Sequence, residues 1–247
     1  MTSRLLATAL AGLALLVAGC DNSSSTPTSP SGGSLQITTT RPILRAGETT
    51  TLVVTGSNGT PVTTATWTST DTRVLTVSPT GVATATRAGT VTVTASSGSS
   101  TGTLGMRVVP DYQGTWSGGL ARVQLTCSPS STAALCAPGA ATSGTLTLQI
   151  TQDADKLTGT LTDSAEPTLP VPLTGVVQAD DQLALAGFGP VGVTNVRVEV
   201  TTMRATIDAA LGTMTGSYQW LVARAPASGG PLQTDYQTQV QFRDIRR

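Results

Sequence analysis

From Thr145 to Thr151 the chain reads Thr-Leu-Thr-Leu-Gln-Ile-Thr, with an apolar side chain at every second position. The same period of two recurs at Thr90-Val91-Thr92-Val93-Thr94, at Val196-Arg197-Val198-Glu199-Val200, and where Tyr236, Val240 and Phe242 oppose Gln237, Gln239, Gln241 and Arg243. Successive side chains of a strand point to opposite faces, so this pattern makes sheets with one dry and one wet face. Threonine and valine, both β-branched, suit that surface. Beyond the first 20 residues no long stretch has a strong helical period, which predicts an all-β protein.

The N-terminus follows a different rule. Arg4 precedes an apolar run from Leu5 to Ala18, which ends in Val17-Ala18-Gly19-Cys20 and turns at once into Ser, Thr and Pro. A run of about 15 apolar residues is short beside the roughly 20 needed to span a bilayer. The order of charge, short apolar core and small residues reads as an export signal over residues 1–19. Val17-Ala18-Gly19-Cys20 resembles the lipobox of bacterial lipoproteins. That resemblance implies cleavage after Gly19, lipidation of Cys20, and attachment to a membrane of the cell envelope by several acyl chains, a stable anchor. Residues 20–33 then read as the lipidated cysteine and a flexible tether. Their Ser/Thr/Pro/Gly composition cannot bury enough apolar surface to offset the entropy of ordering.

Composition narrows the chemistry. Net charge is zero, and Lys156 is the only lysine, so there is no basic field to gather nucleic acid. Charged residues are 11% of the chain, against about 25% in a typical globular domain. Histidine is absent, which removes Ser-His-Asp triads, Cys-His pairs and histidine-ligated zinc or copper. Cys127 and Cys136 lie close together in a chain read as exported, and a disulfide is expected between them.

Residues 34–109 carry about seven short apolar-alternating runs separated by turn signals such as Asn58-Gly59, the spacing of a β-sandwich. Ala46-Gly47-Glu48, Trp67-Thr68-Ser69, Val77, Gly81-Val82 and Ala88-Gly89-Thr90 follow one another in order. This succession resembles the group 2 bacterial immunoglobulin-like domain (BIG2). The resemblance implies an Ig-like sandwich with Trp67 as a core anchor, and a spacing or adhesive role at bacterial surfaces.

Residues 111–247 carry about eight further strands joined by turns such as Asp153-Ala154-Asp155-Lys156 and Ala179-Asp180-Asp181. Such a meander hides its edges by closing, so an antiparallel barrel or strongly rolled sheet is expected. Gly114-Thr115-Trp116 at its start resembles the Gly-x-Trp opening of lipocalin and avidin-like barrels, which implies a tryptophan closing one end. Aromatic residues are 3% of the chain, too few for an aromatic-lined pocket. The Cys127–Cys136 segment, with Pro129, Pro138 and Gly139, interrupts the first connection as a long loop. It reads either as a plain surface insertion or as a rigid contact loop at a barrel mouth.

Several motifs dissolve on inspection. Gly187-Phe188-Gly189-Pro190-Val191-Gly192 has the glycine spacing of a dinucleotide loop, but a strand-like run follows it rather than a helix N-terminus. Gly98-Ser99-Ser100-Thr101-Gly102 has no histidine to activate its serine. Asp153/Asp155 and Asp180/Asp181 fall in predicted turns, where aspartate is common. Asp163 and Glu166 have the spacing of a paired-carboxylate site, but no other residue stands out as an activated group. No catalytic, cofactor or metal site is expected. The resulting expectation is a non-catalytic, lipid-anchored envelope protein that presents an Ig-like domain and a barrel to an unidentified protein or glycan. The alternative is a carrier of a small apolar ligand inside the barrel.

Overall fold

The computed structural model describes residues 33–166, 169–189, 195–226 and 229–247. The export signal, Cys20 and the tether up to residue 32 lie outside the described residues, as do residues 190–192 of the glycine motif. Among the described residues no helix is long and apolar enough to cross a membrane.

Nine strands make the first domain: β1 (Leu35–Thr38), β2 (Ile43–Arg45), β3 (Thr49–Thr51), β4 (Val53–Gly56), β5 (Thr66–Ser69), β6 (Leu75–Val77), β7 (Val82–Ala85), β8 (Gly89–Ser97) and β9 (Ser100–Val109). They pair in the orders β2-β9-β8-β5, β3-β7-β6 and β1-β4. The long β8–β9 hairpin turns at Gly98 with φ +59°, so the Gly-x-Ser-x-Gly motif is a turn and its flanks. The core between the sheets holds Leu44, Leu75, Val93, Ala95, Met106 and Val108.

Two features exceed the seven runs read from the sequence. β2 is only three residues long and pairs parallel to β9, with Ile43 opposite Arg107. Three residues are too few for alternation to show. The run Thr49–Thr55 breaks at Leu52. That residue is buried and its N–H donates to the Gly81 carbonyl at 2.8 Å. The break lets β3 pair with β7 while β4 pairs with β1.

Trp67 is half-buried at the rim of this core, not at its centre. It lies on β5, at the end of its sheet, where only β8 pairs with it. A β-carbon at Gly81 (φ +81°) would come within 3.3 Å of the indole, so that turn must be glycine. The fully buried Leu75 should therefore matter more than Trp67. We expect Leu75→Ala to lower the stability of the sandwich by about 2–5 kcal/mol, and Trp67→Ala to cost less. Denaturant midpoints at unchanged m-value check the ranking, and the reverse order would put the tryptophan back at the centre.

The second domain has eight strands: β10 (Gly114–Cys127), β11 (Ser143–Asp153), β12 (Lys156–Asp163), β13 (Val171–Val177), β14 (Leu183–Phe188), β15 (Val196–Asp208), β16 (Thr213–Arg224) and β17 (Gln233–Arg246). Each pairs antiparallel with the next, and β17 pairs back onto β10, so the sheet is a closed barrel. All eight strands send buried apolar side chains inward, so the interior is a packed core. Where strands crowd, glycine makes room: a β-carbon on Gly187 would collide with the Pro172 carbonyl oxygen.

Candidate functional site

The barrel has two ends of different construction. The base carries the turns β11–β12, β13–β14 and β15–β16 and both chain ends of the domain. Asp153/Asp155 and Asp180/Asp181 all fall in these turns, with Ala154 and Asp181 at positive φ. The connection from the sandwich is stitched into this end. Tyr112 is fully buried; its hydroxyl lies 2.9 Å from the Asp181 carbonyl and 3.1 Å from that of Ala205. Its N–H donates to Gln152 Oε1 at 2.8 Å, and the Gln152 amide donates to the carbonyls of Pro110 and Ala154. Trp116 Nε1 donates to the Tyr112 carbonyl at 2.8 Å. The Arg247 guanidinium covers the Trp116 ring, 4.6 Å from its centroid, and bonds Asp111. Trp116 and Tyr112 thus seal the base.

Charged contacts brace the same junction from the sandwich side. Arg107 bonds the Gln178 carbonyl and Asp181, and Arg45 bonds Asp111 and Gln113. A cleft of about 1140 Å³ opens beside it, where Arg87, Arg246 and Arg247 face Asp111, Asp180 and Asp208.

The distal mouth carries the β10–β11, β12–β13, β14–β15 and β16–β17 connections. Cys127 ends β10 and is bonded to Cys136 in a single 3₁₀ turn, Ala134–Cys136, with 5.9 Å between α-carbons. So small a closed loop contributes roughly 2–3 kcal/mol by the chain-entropy model. Ala133, Leu135 and Cys136 pack against the barrel core, as does Leu169 from the β12–β13 connection. The disulfide loop sits at the barrel mouth and covers part of it.

Beneath that cover lies an ionic cluster. Arg122 and Asp163 form a fully buried ion pair. Tyr218 donates to the other Asp163 oxygen at 2.8 Å, and the Ala165 N–H donates to Asp163 Oδ1 at 2.9 Å. Nearer solvent, Arg224 joins Glu166 and Asp235, and the Tyr236 hydroxyl donates to Glu166 at 3.1 Å. The sequence pair Asp163 and Glu166 is thus brought into one region, but each carboxylate is held by its own arginine. Burial, and then the adjacent carboxylate, holds the Tyr218 and Tyr236 phenols well above the ordinary range. Burial pushes Tyr112 up to about 12. Among the described residues, the buried Arg122 Nε and Trp220 Nε1 have no hydrogen-bond partner.

Arg122 and Tyr218 were not singled out from the sequence, and Asp163 was read only beside Glu166, though a signal was there. Arg122 lies two residues beyond inward Leu120, and Asp163 two beyond inward Leu161. Opposite charges at dry-face positions of two strands announce a buried pair.

Residues 33–107 match the bacterial Ig-like domain (group 2). That match covers the sandwich and stops short of the barrel. No curated protein sequence matches the chain. Two solved structures are similar at low level. Domains 5–6 of the S-layer protein SbsC align at 13% identity and TM-score 0.26, covering 84% of this chain and 95% of that one. A longer piece, rSbsC(31-844), aligns at 14% identity and TM-score 0.25, covering 81% of this chain and 40% of that one. Scores this low carry no argument about the barrel or its role.

Two predictions test the site. Arg122→Met should destabilise the chain by about 3–5 kcal/mol, because it strands a buried carboxylate. Arg122→Met/Asp163→Leu should recover much of that loss, since it removes both charges. Denaturant midpoints of the two variants decide, and a double variant no better than the single would mean that the pair is not coupled.

The second concerns alkaline pH. A tyrosine whose pKa is raised from 10.0 to about 12 on folding keeps its proton longer in the native than in the unfolded chain. The unfolded state then binds fewer protons, so stability falls as pH rises. The contribution of Tyr112 should be complete below pH 10 and lost between about 10 and 12. Denaturant midpoints taken across that range should fall less steeply in Tyr112→Phe. An identical slope would mean that Tyr112 titrates like an exposed phenol.

Proposed function

We propose that this is a non-catalytic lipoprotein of the bacterial envelope. Cys20 anchors it, the Ig-like domain serves as a stalk, and the barrel is presented for contact with an envelope protein or glycan. The observation that carries this reading is the barrel interior, packed by side chains from all eight strands and sealed at its base by Tyr112 and Trp116. A filled barrel works through its outer surface and its loops.

Three further features support the reading. The group 2 bacterial Ig-like match over residues 33–107 fits a cell-surface setting. The Cys127–Cys136 bond fits an oxidising compartment outside the cytoplasm. At the distal mouth the carboxylates of Asp163, Glu166 and Asp235 are each held by an arginine.

The anchor is tested by fractionation and mass spectrometry. The native protein is expected in the membrane fraction, cut after Gly19, with a lipid-sized mass on Cys20. Cys20→Ser is expected in the soluble fraction, and a serine variant still bound to membrane would overturn the lipid anchor. The carrier alternative is tested separately by titrating the protein with an environment-sensitive apolar fluorophore. No saturable blue-shifted binding is expected; stoichiometric binding would favour a carrier.

A further inference from the structure

The outer wall of the barrel differs from its ends. Across β10, β17 and β16 the outward side chains form three rows, each set by the strand register. One row is Gln124, Gln239 and Gln219; the next is Thr126, Gln237 and Leu221; the third is Ala121, Gln241 and Ser217. None of the nine is charged, and five of the chain's twelve glutamines are among them. On β17 the outward positions continue from Gln241 to the exposed Arg243, and on the next strand Glu199 stands opposite Leu221 and Arg204 opposite Ser217. Gln124, Gln219, Gln237 and Gln239 border a groove of about 110 Å³, together with Thr126 and Thr201. Thr201 donates to Gln219 Oε1 at 2.9 Å. Among the described residues, the amides of Gln124, Gln237 and Gln239 make no hydrogen bond with other protein groups.

We propose that this groove binds a neutral, extended, β-linked glycan. The inference rests on the envelope-contact reading above and specifies the ligand. Recognition follows from what the wall offers. The barrel is closed, so its backbone donors and acceptors are used within the sheet and no peptide strand can be added at an edge. The groove has no cation for an acidic polymer and no anion for a basic one. Its large apolar lining residues are Leu221 and the buried Trp220. What it does present is primary amides, each pairing one acceptor with two donors, beside threonine hydroxyls. That is the complement of a sugar's vicinal hydroxyls. Adjacent strands lie about 4.8 Å apart, so the Gln124–Gln239–Gln219 row repeats at a spacing close to one pyranose unit of an extended β-linked chain. Successive sugars then meet successive amides. Hydrogen bonds exchanged with water give modest affinity per sugar, and many copies anchored on one surface gain retention by avidity.

The test is native affinity electrophoresis above the isoelectric point, using the mature chain purified as Cys20→Ser. Gels are cast with hydroxyethyl cellulose, with mixed-linkage β-glucan, or with no polymer. Retardation is expected in the β-glucan gels, and Gln219→Ala/Gln237→Ala/Gln239→Ala should weaken it at least tenfold. Should that variant fail to fold, Gln237→Glu and Gln239→Glu, each replacing one amide by an isosteric carboxylate, are expected to weaken it at least threefold. No retardation in either gel overturns the proposal. So does retardation unchanged in the folded variants, or retardation confined to acidic polymers such as polygalacturonate. Membrane fractionation reads the anchor independently, so an anchored protein that ignores both glucans overturns the glycan groove and leaves the envelope reading standing.

Discussion

The pairing of β10 with β17 is the contact on which the second domain depends. These are its first and last strands, and Leu120 lies opposite Phe242 although more than a hundred residues separate them in sequence. Closing so long a loop is entropically costly before any contact rewards it. Once made, it removes both sheet edges and defines an inside. It also brings the two chain ends of the domain together, which is why Arg247 can cover Trp116 and bond Asp111. The sealed base, the braced junction with the sandwich and the Gln124–Gln239 neighbourhood on the outer wall all follow from this one register.

Closure also dictates how the interior treats charge. Arg122 enters the barrel because the inward period of β10 continues past Leu120. An unpaired guanidinium there would carry a large desolvation penalty. Asp163 answers it from β12, and Tyr218 and the Ala165 N–H satisfy the rest of that carboxylate. Such a pair adds little net stability over well-packed apolar residues, but breaking it is expensive. Its effect is to penalise arrangements in which β10 and β12 stand in any other relation, which suits a sheet whose many similar Thr/Val strands could otherwise pair out of register. The outer ring of Arg224, Glu166, Asp235 and Tyr236 ties the β12–β13 connection to β16 and β17 at the mouth.

The eight barrel strands were legible because each is long enough for alternation to repeat several times. Thr145–Thr151 and Val196–Val200 could be assigned face by face, and closure followed from the need to hide edges. The sandwich was less legible for the same physical reason. β2 offers three residues and β3 and β4 are divided at Leu52, so the period of two never accumulates. Trp67 shows the limit of reading a large aromatic as a core anchor: sequence reports its apolar surface, and its place at a sheet end is a matter of pairing order. The Cys127–Cys136 bond could be expected from proximity, whereas the packing of Leu135 against the barrel core depends on where the mouth lies. The ionic cluster joins residues from β10, β12, β16 and β17. Only their shared inward parity was present in the sequence, not their distances.

The two domains solve the same edge problem in opposite ways, and the difference bears on where each can be touched. The sandwich keeps its edges but makes them short: β2, β3, β5 and β6 have three or four residues apiece. Short edge strands offer little template for an incoming strand. The barrel has no edge, so it needs no lysines or prolines to blunt one. Charge can therefore be sparse on part of its wall without inviting edge-to-edge association. A wall of amides and hydroxyls is tolerable only because closure has already satisfied the backbone beneath it. The three uncharged rows across β10, β17 and β16 are thus a consequence of topology before they are a surface for recognition. Any ligand that docks there must do so through side chains alone.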